Sequence, residues 1–261
     1  MSTGDDRDDL VYGIHSVGEL LARDPRRIRT LWLSGTRGQL ADLFEQARHQ
    51  KVRVDVVDRR FLDNKVHGTH QGVVAQCHAA TLEDEAALED KLASLAHPAL
   101  VLALDGVQDP RNLGACLRSA AAAGVDAVLL PRRRSAPVSA VARKTASGAA
   151  EALFLVDVGN LAQALDRLKQ AGFSIVGAAG DAPTAWVDAD FSGPTVLVIG
   201  GEENGLRALT RSKCDTLAAI PMTGSVGSLN VSVATGILLF EAVRQRRDSA
   251  RGVTGPAARP L

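Results

Sequence analysis

No histidine follows His97 in this chain of 261 residues. A Ser–His–Asp triad and histidine-based proton transfer are therefore excluded from the whole C-terminal part. The sequence also has no HExxH or CxxC motif and no acidic cluster with metal-binding spacing, so we expect no bound metal. If the C-terminal part is catalytic, its polar groups are asparagine, arginine, glutamate and serine.

Net charge, aromatic residues and cysteines are scarce as well. Thirty basic residues balance thirty acidic ones, and aromatic residues make up only 3% of the chain. Any RNA-binding surface must therefore rest on local basic groups, with little base stacking on aromatic rings. The three scattered cysteines indicate a reducing compartment and thiols buried in the core. The basic groups are Arg26, Arg27 and Arg29, then Arg59, Arg60 and Lys65, and finally Arg132, Arg133 and Arg134.

Long apolar runs and targeting signals are absent too. No run reaches the length of a transmembrane helix, and the acidic start MSTGDDRDDL does not resemble a signal peptide. We therefore predict a cytoplasmic protein with no membrane partner. The hydrophobic content of 46% is enough for a sizeable core, in one large domain or two smaller ones.

The order of helix and strand patterns predicts two α/β units joined by a linker. We assign residues 1–78 to an N-terminal domain, 79–98 to the linker, 99–247 to a larger domain and 248–261 to a flexible tail. Within the first unit, residues 1–9 are expected to be disordered. The acidic, alanine-rich linker either stays extended or ends in a short helix that packs on the larger domain.

Apolar strands alternate with helices in the larger domain, which predicts a parallel sheet covered on both faces. Ligands bind such sheets at the carboxyl ends of the strands, so the loops there are the candidate sites. The predicted strands are 99–105, 126–130, 153–156, 174–178, 195–199 and 217–220, and the predicted helices are 112–123, 138–147, 160–171, 206–213 and 230–246.

Two of these loops carry polar residues beside small ones. The loop DGVQDPRNLGACLRSAAAAG contains Asn112 and Arg118, and the small residues around Arg118 predict a partly buried side chain. In VLVIGGEENGLR, the adjacent Gly200 and Gly201 permit close approach of a ligand. Taken alone, Asn112 can also be a helix cap, and Glu202 can be an acid that stabilises the start of the next helix.

A third loop, IPMTGSVGSLNVSVATGILLFEAVRQR, places glycines and serines before a long apolar helix. Ser228 and Asn230 can cap that helix, because their side chains accept hydrogen bonds from free backbone N–H groups. A well-capped core helix is therefore the alternative to a binding loop. None of the three loops matches a dinucleotide or phosphate-binding fingerprint.

Together the three loops resemble, in order, the three motifs of the SpoU/TrmH (SPOUT) group of RNA ribose 2′-O-methyltransferases, over about residues 99–247. VYGIHSVGELL and GTHQGVVA resemble the L30e-like substrate-binding domain of the rRNA-specific branch. The resemblance implies 2′-O-methylation of a guanosine ribose in the peptidyl-transferase P loop of 23S rRNA, with S-adenosylmethionine (AdoMet) as cofactor. It also implies a homodimer and a deep C-terminal trefoil knot, although knots are very rare.

The resemblance also implies roles for particular residues. Arg118 is expected to activate or clamp the ribose hydroxyl, and Glu202 to orient Arg118. Asn112 and Asn230 are expected to fix the sugar or the loops, with Ser228 and Asn230 on the substrate side. Backbone groups around the cofactor adenine are implied for Gly200, Ile220, Met222 and Leu229.

Two other functions remain open from the sequence. A tRNA 2′-O-methyltransferase shares the same motifs, and a non-catalytic RNA-binding ribosome-assembly factor can use the loops as structure only. A nucleotide-dependent oxidoreductase is disfavoured, because its dinucleotide fingerprint is missing.

Overall fold

The computed structural model describes residues 9–66, 68–78 and 82–251 of the chain. These residues form two separate sheets, one of four strands and one of seven. The predicted disorder of residues 1–8 lies outside the described residues, whereas Asp9 begins the first strand, so the prediction is wrong there. No helix of the described part is long and apolar enough to cross a membrane.

The N-terminal sheet is mixed, with strand order β1-β4-β2-β3. Only β2 and β3 run parallel, and both pairings of β4 are antiparallel. The sequence predicted every α-helix and strand of this unit except β1, which pairs with the last strand, β4, and it did not predict the short 3-10 helix Pro25–Arg27. The elements are β1 (Asp9–Tyr12), α1 (Ile14–Arg23), β2 (Ile28–Leu33), α2 (Gln39–His49), β3 (Val54–Val56), α3 (Arg59–Lys65) and β4 (Val73–Cys77).

The linker contains a helix, as one of the two alternatives predicted. Helix α4 (Glu85–Ala93) is capped by the Asp84 side chain, which accepts a hydrogen bond from the Ala87 N–H at 2.8 Å. Its Leu88 is buried in the core cluster on one face of the larger sheet. The helix is thus held by the larger unit through its apolar side.

The larger sheet is parallel throughout, with strand order β7-β6-β5-β10-β8-β11-β9. Buried apolar clusters cover both of its faces, as the continuous apolar strands predicted. The elements are β5 (Leu100–Asp105), α5 (Pro110–Ala122), β6 (Ala127–Pro131), α6 (Ala140–Ala146), α7 (Ala149–Ala152), β7 (Leu155–Val158), α8 (Leu161–Gln170), β8 (Ser174–Ala178), β9 (Thr184–Ala185), β10 (Thr195–Gly200), α9 (Ala208–Lys213), β11 (Thr216–Ala219) and α10 (Val231–Ala250).

The last helix, α10, is anchored near its C-terminal end by polar contacts to distant backbone. The Arg246 guanidinium donates to the carbonyl oxygens of Pro98, Ala99, Phe191 and Gly193. These bonds hold the helix against both the start of β5 and the segment before β10. The helix continues to Ala250, so the predicted tail is helical where it begins, and residues 252–261 lie outside the described residues.

The N-terminal unit contacts the larger one through α1 and β1. The Arg23 guanidinium donates to the carbonyl oxygen of Ala152 at the end of α7 (2.9 Å). The Lys144 ammonium of α6 lies 5.3 Å from the centre of the Tyr12 ring, in cation–π range.

Candidate active site

A cleft of about 690 Å³ lies at the carboxyl ends of β8, β10 and β11. This is the edge where open α/β sheets bind ligands, and the volume is within the usual range for small-molecule sites. All four residues predicted to hold the cofactor line it: Gly200, Ile220, Met222 and Leu229. Three of the predicted catalytic residues line it as well: Glu202, Ser228 and Asn230.

A chain of hydrogen bonds at the rim of the cleft joins the three loops. The Asn112 Nδ2 donates to Glu202 Oε1 at 2.8 Å, and the Asn230 Nδ2 donates to Asn112 Oδ1 at 3.0 Å. The Asn230 Oδ1 accepts from the Ser232 N–H at 2.9 Å, which caps α10. The helix start therefore fixes how the Asn230 amide is turned, and the Glu202 carboxylate fixes Asn112, since a carboxylate only accepts.

The capping explanations for Asn112 and Glu202 are wrong. The Asp109 side chain caps α5 by accepting from the Arg111 N–H at 2.9 Å, which leaves Asn112 free for the rim contacts. Helix α9 begins at Ala208, so Glu202 lies ahead of its first turn. A second Glu202 oxygen instead accepts from the Gln108 N–H at 3.4 Å.

The adjacent glycines are required by the packing of the chain itself. A Cβ on Gly200 would lie 2.0 Å from the Gly205 carbonyl carbon, and a Cβ on Gly201 would lie 2.3 Å from the Gly106 oxygen. Gly205 has a φ of 60° and donates its N–H to Gly201 O at 3.0 Å, which closes a tight turn. The loop therefore packs tightly on itself and on Gly106 after β5, and both glycines also line the cleft.

We expect Gly200→Ala to lower the free energy of unfolding by at least about 1–3 kcal/mol, because the new methyl group must displace backbone. Gly193→Ala is the matched control, since nothing lies within 4 Å of a Cβ there. Urea unfolding of the two variants measures the difference. Equal stability would show that the turn is not as tightly packed as the structure indicates.

Two residues that the sequence did not predict, Asp105 and Arg207, hold this turn against the end of β5. The buried carboxylate of Asp105, at the end of β5, accepts from the Arg207 N–H at 2.9 Å and from Arg207 Nε at 2.6 Å. The Asp105 side chain is 0% exposed, so its buried carboxylate holds Arg207, and with it the Glu202 loop, to the end of β5. The sequence did carry a signal for Asp105, because its strand ends in Asp-Gly at the edge of the sheet where ligands bind.

Arg118 is not brought to the cleft within a single chain. Its side chain is exposed on α5, so the predicted partial burial is wrong. Its Nη1 donates to the Ser147 hydroxyl at 3.4 Å, whereas Glu202 contacts Asn112 and Gln108. Small neighbours along α5 pack against α6 and α10, and the longer Arg118 side chain extends past them into solvent.

The cysteines near the site are structural. Cys116 is buried between α5 and α10, where burial raises the pKa of its thiol to about 11. Cys77 is buried as well, and Cys214 is half-buried, so the predicted burial holds fully for two of the three. With a pKa of about 11, the Cys116 thiol is protonated at neutral pH and is not a nucleophile.

Among the described residues, no group of three His, Cys, Asp or Glu side chains is placed to hold a metal ion.

Comparisons with known proteins match both units of the chain. Residues 99–240 match the SpoU rRNA Methylase family, and residues 10–82 match the RNA 2′-O ribose methyltransferase substrate-binding family. A protein of Pseudomonas aeruginosa named 23S rRNA (guanosine-2′-O-)-methyltransferase RlmB is 50% identical over 240 residues. The match covers 91% of this chain and 97% of that protein.

Two solved structures bound to AdoMet have the same fold. The SpoU methyltransferase AviRb from Streptomyces viridochromogenes, in complex with AdoMet, is 25% identical with a TM-score of 0.78, covering 92% of this chain and 91% of that one. An AdoMet-bound rRNA methyltransferase from Sinorhizobium meliloti is 27% identical with a TM-score of 0.73, covering 91% and 87%. The chain therefore belongs to the SpoU rRNA methylase family.

Proposed function

We propose that this protein methylates the ribose 2′-hydroxyl of a guanosine in 23S rRNA, with AdoMet as methyl donor. The observation that carries the proposal is the cleft at the strand ends, with the Asn112–Glu202–Asn230 chain of hydrogen bonds at its rim. The match of both units to rRNA methyltransferases supports it. By the resemblance of the sequence, the guanosine lies in the peptidyl-transferase P loop.

The cleft fits AdoMet by its chemistry. Ile220, Met222 and Leu229 offer apolar surface for an adenine ring, and Gly180 and Gly227 leave open space where side chains would stand. Backbone N–H and C=O groups are therefore accessible for the polar edge of a purine. When bound, AdoMet supplies an activated methyl group, so orientation of the ribose can provide much of the acceleration.

The residues around the cleft then orient the ribose and stabilise the negative charge that develops on it during methyl transfer. The rim chain of hydrogen bonds holds Asn112 and Asn230 rigid, next to the exposed Ser228, so that polar groups face the sugar without reorganisation. Arg118 carries a guanidinium group, which only donates hydrogen bonds and cannot act as a base. Because Arg118 lies outside the cleft of its own chain, its proposed role, a forked clamp on ribose and phosphate oxygens that stabilises developing negative charge, requires the homodimer described below.

Mapping of 2′-O-methyl groups in a strain that lacks the gene tests this function. Loss of one methylated guanosine in 23S rRNA, restored by the wild-type gene, is the expected result. Loss of a tRNA methyl group would instead establish the tRNA alternative. Unchanged RNA, together with no AdoMet signal by calorimetry, would favour the non-catalytic assembly factor.

Two finer features of the fold belong to the same proposal. The anchoring of α10 to backbone just before β5 and just before β10 is in keeping with a deep trefoil knot formed by the C-terminal segment. The substrate-binding unit would have an L30e-like arrangement.

We also propose a cytoplasmic location, because ribosomal RNA is assembled into ribosomes there.

A homodimer would explain apolar side chains left exposed on α10. Val233 and Phe240 lie two turns apart on one side of the helix, and both are about half exposed. Helix α10 packs on α5, the helix that carries the exposed Arg118, so a second copy seated on α10 would lie close to the helix of Arg118. The active site would then lie near the dimer interface.

We expect the double variant Val233→Asp, Phe240→Asp to be monomeric, because two carboxylates would be buried without partners at the interface. Light scattering measures the mass in solution. Leu209→Asp, which changes an equally exposed apolar residue on α9, is the control and should leave the dimer intact. A wild-type protein that is already monomeric would contradict the proposal.

A further inference from the structure

A second concave surface lies beside the active site and is lined by arginine side chains. This cavity of about 310 Å³ is formed by the loop after β6, the start of α8 and the start of α9. Arg133, Arg134 and Arg207 line it, and no acidic residue does. Arg134 and Arg207 also line a cavity of about 450 Å³ that contains Asn112 and Glu202, so the two surfaces are continuous.

The three consecutive arginines of this loop differ in their partners. Arg132 Nε donates to Asp157 Oδ2 at 2.7 Å, so its charge is neutralised at the edge of the sheet. Arg207 is likewise paired with the buried Asp105. Within residues 9–66, 68–78 and 82–251, neither Arg133 nor Arg134 has an ion pair or a side-chain hydrogen bond, and both are exposed. Two full positive charges therefore face the solvent next to the rim.

The backbone at Arg134 is held in a conformation that arginine rarely adopts. Its φ is 63°, in the left-handed region, where side chains other than glycine, asparagine and aspartate are disfavoured. Strained backbone of this kind is concentrated at functional sites, and in this chain Lys51, Gln71 and Ser147 have it as well. Here the strained residue is one of the two, with Arg207, that line both the arginine-lined surface and the cavity beside Asn112.

We propose that Arg133 and Arg134 form a phosphate-binding subsite for the substrate RNA strand, next to the nucleotide that is methylated. The inference rests on the proposed function for its ligand. Planar guanidinium groups suit phosphate oxygens, because they donate two parallel hydrogen bonds. Backbone contacts of this kind set the register of the strand without reading its sequence.

The salt dependence of RNA binding tests the subsite. Each phosphate contact to a single strand contributes about 0.7 to the slope of log K against log salt. The full-length double variant Arg133→Gln, Arg134→Asn should therefore lower the slope by about 1.4 for an unmodified 23S rRNA transcript. Asparagine tolerates the left-handed conformation at position 134, so the variant keeps the loop. AdoMet affinity and the unfolding midpoint should stay at wild-type values.

Arg132→Gln is the control on the same loop, and its slope should stay at the wild-type value because Asp157 already neutralises the charge. A wild-type slope in the double variant would overturn the subsite, and so would an equal drop in the control. Wild-type protein that binds the transcript but transfers no methyl group would contradict the proposed function instead. The two failures are therefore distinguishable.

Discussion

Leu229→Arg is expected to weaken AdoMet binding on the order of 100-fold, or about 2.7 kcal/mol. Leu229 is half-buried and lines the cleft beside Met222, so a charged side chain there must either lie unpaired in the adenine site or displace the loop. Calorimetric titration of the folded variant with AdoMet measures the loss.

The loop also offers a control for this experiment. Val226 is 63% exposed, three residues earlier in the same glycine-rich segment, and does not line the cleft. Val226→Arg should therefore bind AdoMet as the wild type does. If Leu229→Arg also binds at wild-type affinity, the cofactor site lies elsewhere.

Arg118→Lys is expected to slow methyl transfer by about 10²–10³-fold, the usual loss when one preorganised transition-state donor is removed. A lysine ammonium retains the charge but cannot grip two oxygens in the fixed geometry of a guanidinium. Because Arg118 is exposed and its contact with Ser147 is long, stability should change by less than about 0.5 kcal/mol.

Single-turnover methylation at saturating AdoMet and rRNA separates this step from binding. A rate within threefold of wild type, about 0.6 kcal/mol, would exclude Arg118 from a direct catalytic role. The Glu202 carboxylate would then be the next group to test as proton acceptor, through Glu202→Gln. Asn112→Ala in parallel would report how far Glu202 depends on its hydrogen-bond donor.

The sequence predicted most of the architecture because its signals are local and repeated. Continuous apolar strands such as 195–199 predicted the parallel sheet, and the residue types at 200, 220, 222 and 229 led to one cleft through a family resemblance. Strand β1 was not predicted, because its four residues follow a polar segment and show no clear alternation of apolar and polar side chains. Its pairing with β4 is a tertiary contact that propensity cannot reveal.

The contacts within the site were harder to predict. Which of Asp109 and Asn112 caps α5 depends on where the helix starts, and a shift of three residues exchanges a helix cap for a contact at the rim of the cleft. Asp105 and Arg207 are 102 residues apart in the sequence, so no motif with a fixed spacing could have predicted their ion pair. Exposure of Arg118 likewise depends on how α6 and α10 pack around α5.

The position of α10 has a consequence for how the protein is made. Its first turn completes the rim through Asn230, and its Arg246 bonds backbone at Pro98 and Ala99, almost 150 residues earlier (separations of 148 and 147). Contacts of such long sequence separation form late, since loop closure precedes any gain from them. A chain still emerging from the ribosome therefore has neither a complete cleft nor a complete rim. Activity starts only when the last helix has been synthesised and docked.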